Sequence, residues 1–132
     1  MHGYDKHSEA VYLNDDFMEF EVTTLSVLRK NIPISGGGYL RIFTWFLMKK
    51  LVSQHLKTKN IYVLYIHPFE LSKLEIPPMP RSTSTLTKFR YTYGRNKVQE
   101  KIIRLVNLLE DNGYSFTTFS EIQKEISRAS HG

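Results

Sequence analysis

The stretch Ile-Tyr-Val-Leu-Tyr-Ile-His-Pro-Phe-Glu, residues 61–70, decides how the rest of the chain is to be read. Six apolar or aromatic residues run without a charge into His67, and Pro68 then forbids further regular pairing. The pattern predicts a buried strand over Ile61–Ile66 that delivers one histidine to its C-terminal end. In parallel α/β architectures ligands bind at the carboxyl ends of the strands, so an imidazole placed there is a candidate acid or base. The competing reading is a histidine that satisfies a loop carbonyl.

Working outward, Thr58-Lys-Asn60 closes a predicted helix over Tyr39–Lys57, whose stripe is Phe43, Phe46, Leu47, Met48, Leu51, Val52 and Leu56. Arg41 falls in the first turn of that helix, where a cation opposes the dipole, which predicts a specific partner for it, structural or a substrate anion. Before it, Asn31 to Tyr39 contains Gly36, Gly37 and Gly38, a loop suited to close backbone approach. No Gly-Lys-Ser/Thr follows, which argues against a phosphate loop. Phe17–Thr24 alternates partly and predicts a first strand, so the chain contains a β-loop-α-β crossover unit, parallel and right-handed, with the His67 strand internal.

C-terminal to His67, Leu71–Tyr93 loses periodicity through Pro77, Pro78 and Pro80 and reads as a long loop overhanging the site. Phe89, Tyr91 and Tyr93 alternate with polar residues as in an edge segment; they suit stacking on sugar rings, although core packing is the commoner use of such aromatics. Asn96–Asp111 is the clearest helix, with Val98, Ile102, Leu105, Val106 and Leu109 on one face and Asn112-Gly113 as its stop. Tyr114–Thr117 predicts a short strand, and Thr118 with Glu121 forms a capping box opening a last helix to about Ala129.

A length of 132 residues allows one domain, and 41% apolar residues are enough for a core. The absence of cysteine excludes disulfides, thiolate zinc sites and cysteine nucleophiles. No apolar run approaches a membrane span and residues 1–6 hold no signal core, so the chain reads as soluble and by default cytoplasmic. The net charge of +5 is scattered over several elements without a dense basic run, which argues against a nucleic-acid partner. Residues 1–16 read as an irregular lead-in; His2 and His7 with the neighbouring acids are loose candidates for metal ligands, and Asp15-Asp16 precedes a strand rather than ending one.

Taken together, several motifs resemble the polysaccharide deacetylases of carbohydrate esterase family 4, in the branch linked to exopolysaccharide biosynthesis. They are Glu19-Phe20 with Val22 and Thr24, Pro33 to Arg41, Tyr65-x-His67-Pro68-Phe69-Glu70, Phe89-Arg90 with a nearby tyrosine, and Phe116-x-Thr118. The resemblance covers Phe17 to about Ile126 and is to the C-terminal part of those enzymes. It implies an α/β fold, a partial deformed β/α barrel, acting on an N-acetylated polysaccharide or oligosaccharide with a divalent metal, usually zinc. His67 matches the histidine that protonates the departing amine, with Tyr39, Arg41 and Glu70 near the pocket and Glu70 within reach of the ring. The paired aspartates and metal-binding histidines of the family have no counterpart here, so metal ligation is carried onto none of His2, His7, Asp15 or Asp16. Phe69, Leu40 and Glu21 stand where the family usually has tryptophan, phenylalanine and proline. A partial barrel exposes sheet edges, which predicts a homo-oligomer or else a disordered or rearranged N-terminus, and the missing metal and base motifs imply an inactive fragment. The alternative is a non-catalytic carbohydrate-binding or assembly module that keeps the fold without the metal site.

Overall fold

The computed structural model describes residues 5–8, 11–14, 17–72 and 78–130, with the backbone alone for 5–8, 11–14 and 130. The expected strand Phe17–Thr24 is divided. Its first half, β3 (Phe17–Phe20), closes an antiparallel meander with β1 (Asp5–Ser8) and β2 (Val11–Asn14) in the order β1-β2-β3, Val11 facing Phe20 and Asn14 facing Phe17. Residues 5–8 and 11–14 therefore form strands where an irregular lead-in was expected.

The second half starts a hairpin that the sequence conceals. Strand β4 (Thr24–Val27) pairs antiparallel with β5 (Lys30–Pro33) from Thr24↔Pro33 to Val27↔Lys30. The two residues between them, Leu28 and Arg29, both take positive φ, 49° and 64°. A two-residue turn with positive φ at both positions matches the right-handed twist of paired strands, and ordinarily recruits Asn and Gly. Here Leu28 fills it fully exposed, so the usual composition signal is missing.

The helix expected over Tyr39–Lys57 is two helices, α1 (Gly37–Ile42) and α2 (Trp45–Leu56). Phe43 and Thr44 are extended, and Thr44 caps α2 by accepting from the Leu47 amide at 3.4 Å. Met48, Leu51, Val52 and His55 follow at helical spacing and are buried, whereas Phe46, counted into the predicted stripe, is 80% exposed. Residues 61–66 are extended but make no ladder. They meet the chain ahead of α1 through one parallel bridge, Gly36 to Tyr65, in which the Tyr65 amide donates to the Ser35 carbonyl (2.9 Å) and the Gly37 amide to the Tyr65 carbonyl (3.0 Å). The expected β-loop-α-β crossover from a Phe17–Thr24 strand is not formed: β3 pairs with β2, the parallel contact of 61–66 is to Gly36 alone, and the segment is not a regular, internal strand. Side chains supply the remaining support, since Thr23 Oγ1 accepts from the Val63 amide at 2.7 Å and the Tyr62 hydroxyl donates to the Ile34 carbonyl at 2.6 Å. Burial pushes the Tyr62 hydroxyl pKa well up, which keeps it a donor.

Helix α3 (Pro68–Leu71) begins directly after His67. Within the expected long loop lies α4 (Thr85–Thr92), capped by Ser84, so Phe89 and Tyr91 belong to a helix, with Tyr93 as its C-cap, rather than to an edge strand. A 3-10 turn, Arg95–Lys97, leads into α5 (Val98–Asp111), which ends at Gly113 with φ +82° as expected. Residues 114–118 form no strand; they lead into α6 (Phe119–Ser130), which opens on the anticipated capping box.

The core is Ile34, Leu40, Met48, Leu51, Val52, Leu105 and Leu109, drawn from α1, α2, α5 and the segment after β5. The hairpin residues Leu25, Val27 and Ile32 pack against it. The architecture is mixed α/β with two small antiparallel sheets and, among the described residues, no closed barrel. No described helix is long and apolar enough to cross a membrane.

Candidate functional site

The parallel bridge brings two chain turns to one edge. Ile34-Ser35-Gly36 runs into α1, and Val63-Leu64-Tyr65 runs beside it into His67 and α3. His67 is the N-cap of α3 with extended backbone, and Pro68 at the first helical position fixes the chain's departure. The cap is closed from behind. The His67 backbone amide donates to Glu70 Oε2 at 3.1 Å, and the Glu70 amide donates to the His67 carbonyl at 2.9 Å.

Glu70 is thus committed to the backbone of His67 and not to its ring. Its other oxygen faces Arg41, Nε to Oε1 3.6 Å, an ion pair too long for a hydrogen bond. Both side chains are buried. Arg41 lies in the last turn of α1 because that helix stops at Ile42, and its Nη1 donates to the Tyr91 carbonyl at 2.8 Å. Arg41 therefore has partners within the fold, and the cation joins α1, α3 and α4. Gly37 makes the approach possible, since a Cβ there would stand 1.8 Å from Glu70 Oε2.

The same latch is tied at two further points. Arg95 Nη2 donates to the carbonyls of Phe69 (3.2 Å) and Ser72 (2.8 Å), and its guanidinium lies over the Phe69 ring at 4.4 Å. Lys101 Nζ donates to the carbonyls of Leu40 (2.7 Å), Arg41 (3.3 Å) and Phe43 (2.7 Å), closing the C-terminus of α1. Burial, then the neighbouring Lys97, lowers the Lys101 pKa, against an opposing pull from Glu100. Neither Arg95 nor Lys101 stood out in the sequence, because a cation that caps a remote helix has no local pattern.

The His67 ring itself faces outward. Its Nε2 lies 3.0 Å from the Tyr65 hydroxyl, with the two rings edge to face at 4.7 Å. Residues two apart on an extended segment share a face, so the Tyr65-x-His67 spacing itself makes Tyr65 legible as the partner of the ring. Tyr39, in α1 and 38% exposed, packs its ring against Phe43. The structure therefore separates the expected residues: His67 and Tyr39 remain accessible, while Arg41 and Glu70 lie behind them. An exposed imidazole on a fixed backbone with one phenol partner can take or give a proton.

Among the described residues no three His, Asp or Glu side chains come together as metal donors, so these residues do not fit a resident divalent ion. His2, Asp15, Asp16 and the side chain of His7 lie outside the described residues.

No curated protein and no solved structure matches the chain. A family model, described as "Domain of unknown function (DUF3473)", matches residues 2–124. That match takes in every element from β1 to α5 and the start of α6, and the chain belongs to this family.

Proposed function

We infer that the chain is the C-terminal part of a metal-dependent polysaccharide deacetylase, contributing βα units of a deformed barrel and the acid that protonates the leaving amine. One observation carries the reading: His67 ends an extended segment in parallel register with the start of α1, and presents an exposed imidazole whose backbone is fixed on both sides by Glu70. Hydrolysis of an N-acetyl group breaks a C–N bond, and an amide anion is too poor a leaving group to depart unprotonated. In this reading His67 donates that proton and Tyr65 orients the ring. Glu70 and Arg41 are positioning residues, holding the cap from which the imidazole projects. The divalent metal, zinc being usual in the deacetylases the chain resembles, would polarise the acetyl carbonyl, and its donors would come from outside the described residues.

The test is acetate release from a chitooligosaccharide with added zinc or cobalt. The chain by itself is expected to be inactive. The longer polypeptide that the reading requires should be active and lose about 10²- to 10⁴-fold on His67→Ala. Full activity of that variant would overturn the assignment of His67, and robust His67-dependent turnover by the isolated chain would place the metal site within it. A second reading, a non-catalytic carbohydrate-binding module, is favoured by the exposed rings of Tyr65, Phe89 and Tyr93. It predicts sugar binding with no His67-dependent turnover in either polypeptide.

A further inference from the structure

Helix α4 buries none of its side chains. Leu86, Phe89 and Tyr93, at spacings that place them on one face, are 60%, 53% and 48% exposed. The Phe89 and Tyr93 rings lie side by side, centroids 4.8 Å apart and planes 30° apart. The opposite side is the one docked to the protein: the Tyr91 ring meets Phe69 at 6.0 Å, two residues beyond His67, and the Tyr91 carbonyl holds Arg41.

The charge on this segment is one-sided. Residues 78–99 contain five of the 18 basic side chains, Arg81, Lys88, Arg90, Arg95 and Lys97, and none of the 13 acidic ones, which leaves the rest of the chain balanced at 13 against 13. The whole net charge of +5 is therefore carried by α4 and its flanks. Arg95 is turned inward to α3, whereas Lys88 and Arg90 are exposed. The charge that looks scattered along the sequence is concentrated by the lack of acids, not by a basic run.

We propose that the exposed surface of α4 is a subsite for an acidic polysaccharide, Phe89 and Tyr93 stacking on pyranose rings while Arg90 beside them and Lys88 farther round the helix pair with uronate carboxylates. Three chemistries meet on the exposed surface of this helix: flat aromatic rings, cations with no ion-pair partner among the described residues, and the exposed hydroxyl side chains of Ser82, Ser84 and Thr85. A neutral sugar chain would make no use of the cations. An anionic lipid surface would, but Leu86 is the one aliphatic side chain on the face, and the hydroxyl-rich entry to α4 resists insertion into an acyl layer. The proposal deepens the polysaccharide reading above and rests on it for the class of ligand, while its test reads binding and not turnover.

The experiment is calorimetric titration of the full chain with hyaluronan octasaccharide, in which N-acetylglucosamine alternates with glucuronate, and with neutral chitohexaose. The acidic oligosaccharide should bind more tightly than the neutral one, and its affinity should fall as salt rises from 50 to 300 mM. Lys88→Gln with Arg90→Gln should weaken it about tenfold, two exposed charge pairs being lost, and leave chitohexaose unchanged. Phe89→Ala should weaken both sugars. All three side chains are exposed, so the variants should keep the wild-type circular dichroism. Equal affinity for the two sugars, failure of the acidic one to bind, or loss of neither sugar in the variants would overturn the subsite. So would binding to phosphatidylglycerol vesicles through Lys88 and Arg90 in the absence of sugar binding. Oligosaccharide binding without any His67-dependent hydrolysis would instead count against the deacetylase reading alone.

Discussion

At the scale of single residues, two carboxylates show how the same side chain is put to different uses. Glu70 is buried with Arg41, and removing it leaves the cation without its counter-charge, so Glu70→Ala should destabilise the chain by about 3–5 kcal/mol in urea denaturation. A loss under 1 kcal/mol would mean that the pair does not hold α1 to α3. Glu121 is exposed, and hydrogen bonds from the Thr117 hydroxyl and then from Thr118 lower its pKa below the ordinary 4.5. A carboxylate whose pKa is depressed on folding adds stability above its unfolded value and loses it as pH falls through the folded one. Helicity of α6 should therefore weaken only below about pH 4.5, and Thr118→Ala should move the Glu121 titration upward by NMR. His67 was readable from sequence because proline, a strand-like run and a lone imidazole coincide within ten positions. The partners of Arg41 were not, since Glu70 and the Tyr91 carbonyl lie 29 and 50 positions away.

At the scale of elements, local signals succeeded where the chain itself supplies the cap. The start of α6 rests on Thr118 and Glu121, and the end of α5 on Asn112 and Gly113, all within one turn of the boundary they set. They failed where a period misleads. Phe89, Tyr91 and Tyr93 alternate as strand residues do, yet Ser84 accepts from the Thr87 amide and starts a helix. Ile61–Ile66 has a strand's composition, but a ladder needs a neighbour that the sequence does not announce, and the segment finds one bridge. Gly94 has a different sort of necessity: φ is +75°, and a Cβ would stand 2.5 Å from the Arg41 carbonyl oxygen. Gly94→Ala should cost about 2 kcal/mol or more in thermal denaturation, strain and clash together. At Gly113, φ is +82° with open space around it, so Gly113→Ala should cost only about 1 kcal/mol. Equal losses at the two sites would mean that the backbone around Arg41 yields.

At the scale of the whole molecule, the core is one-sided. Ile34, Leu40, Val52 and Leu105 are fully buried, whereas Phe116 and Phe119 on the far side are 61% and 56% exposed. They border a cavity of about 480 Å³ that is lined also by Ile61, Val63, Leu109 and Ile122. Apolar surface of this kind favours association, so the isolated chain should sediment as a dimer or larger at tens of micromolar, and Phe116→Asp should shift it toward monomer. A wild-type monomer at that concentration would remove the argument from exposed edges. The bridge between Gly36 and Tyr65 has a kinetic meaning as well. Its two amides, Gly37 and Tyr65, sit where the segments before α1 and α3 meet, and parting those segments breaks into the packing of Ile34, Leu40 and Val52. Amide hydrogen exchange at Gly37 and Tyr65 should then be as slow as global unfolding permits, while the exposed first turn of α6 exchanges through local fraying. If so, His67 has no loosened state of its own to visit, and whatever approaches it must adapt to a rigid edge.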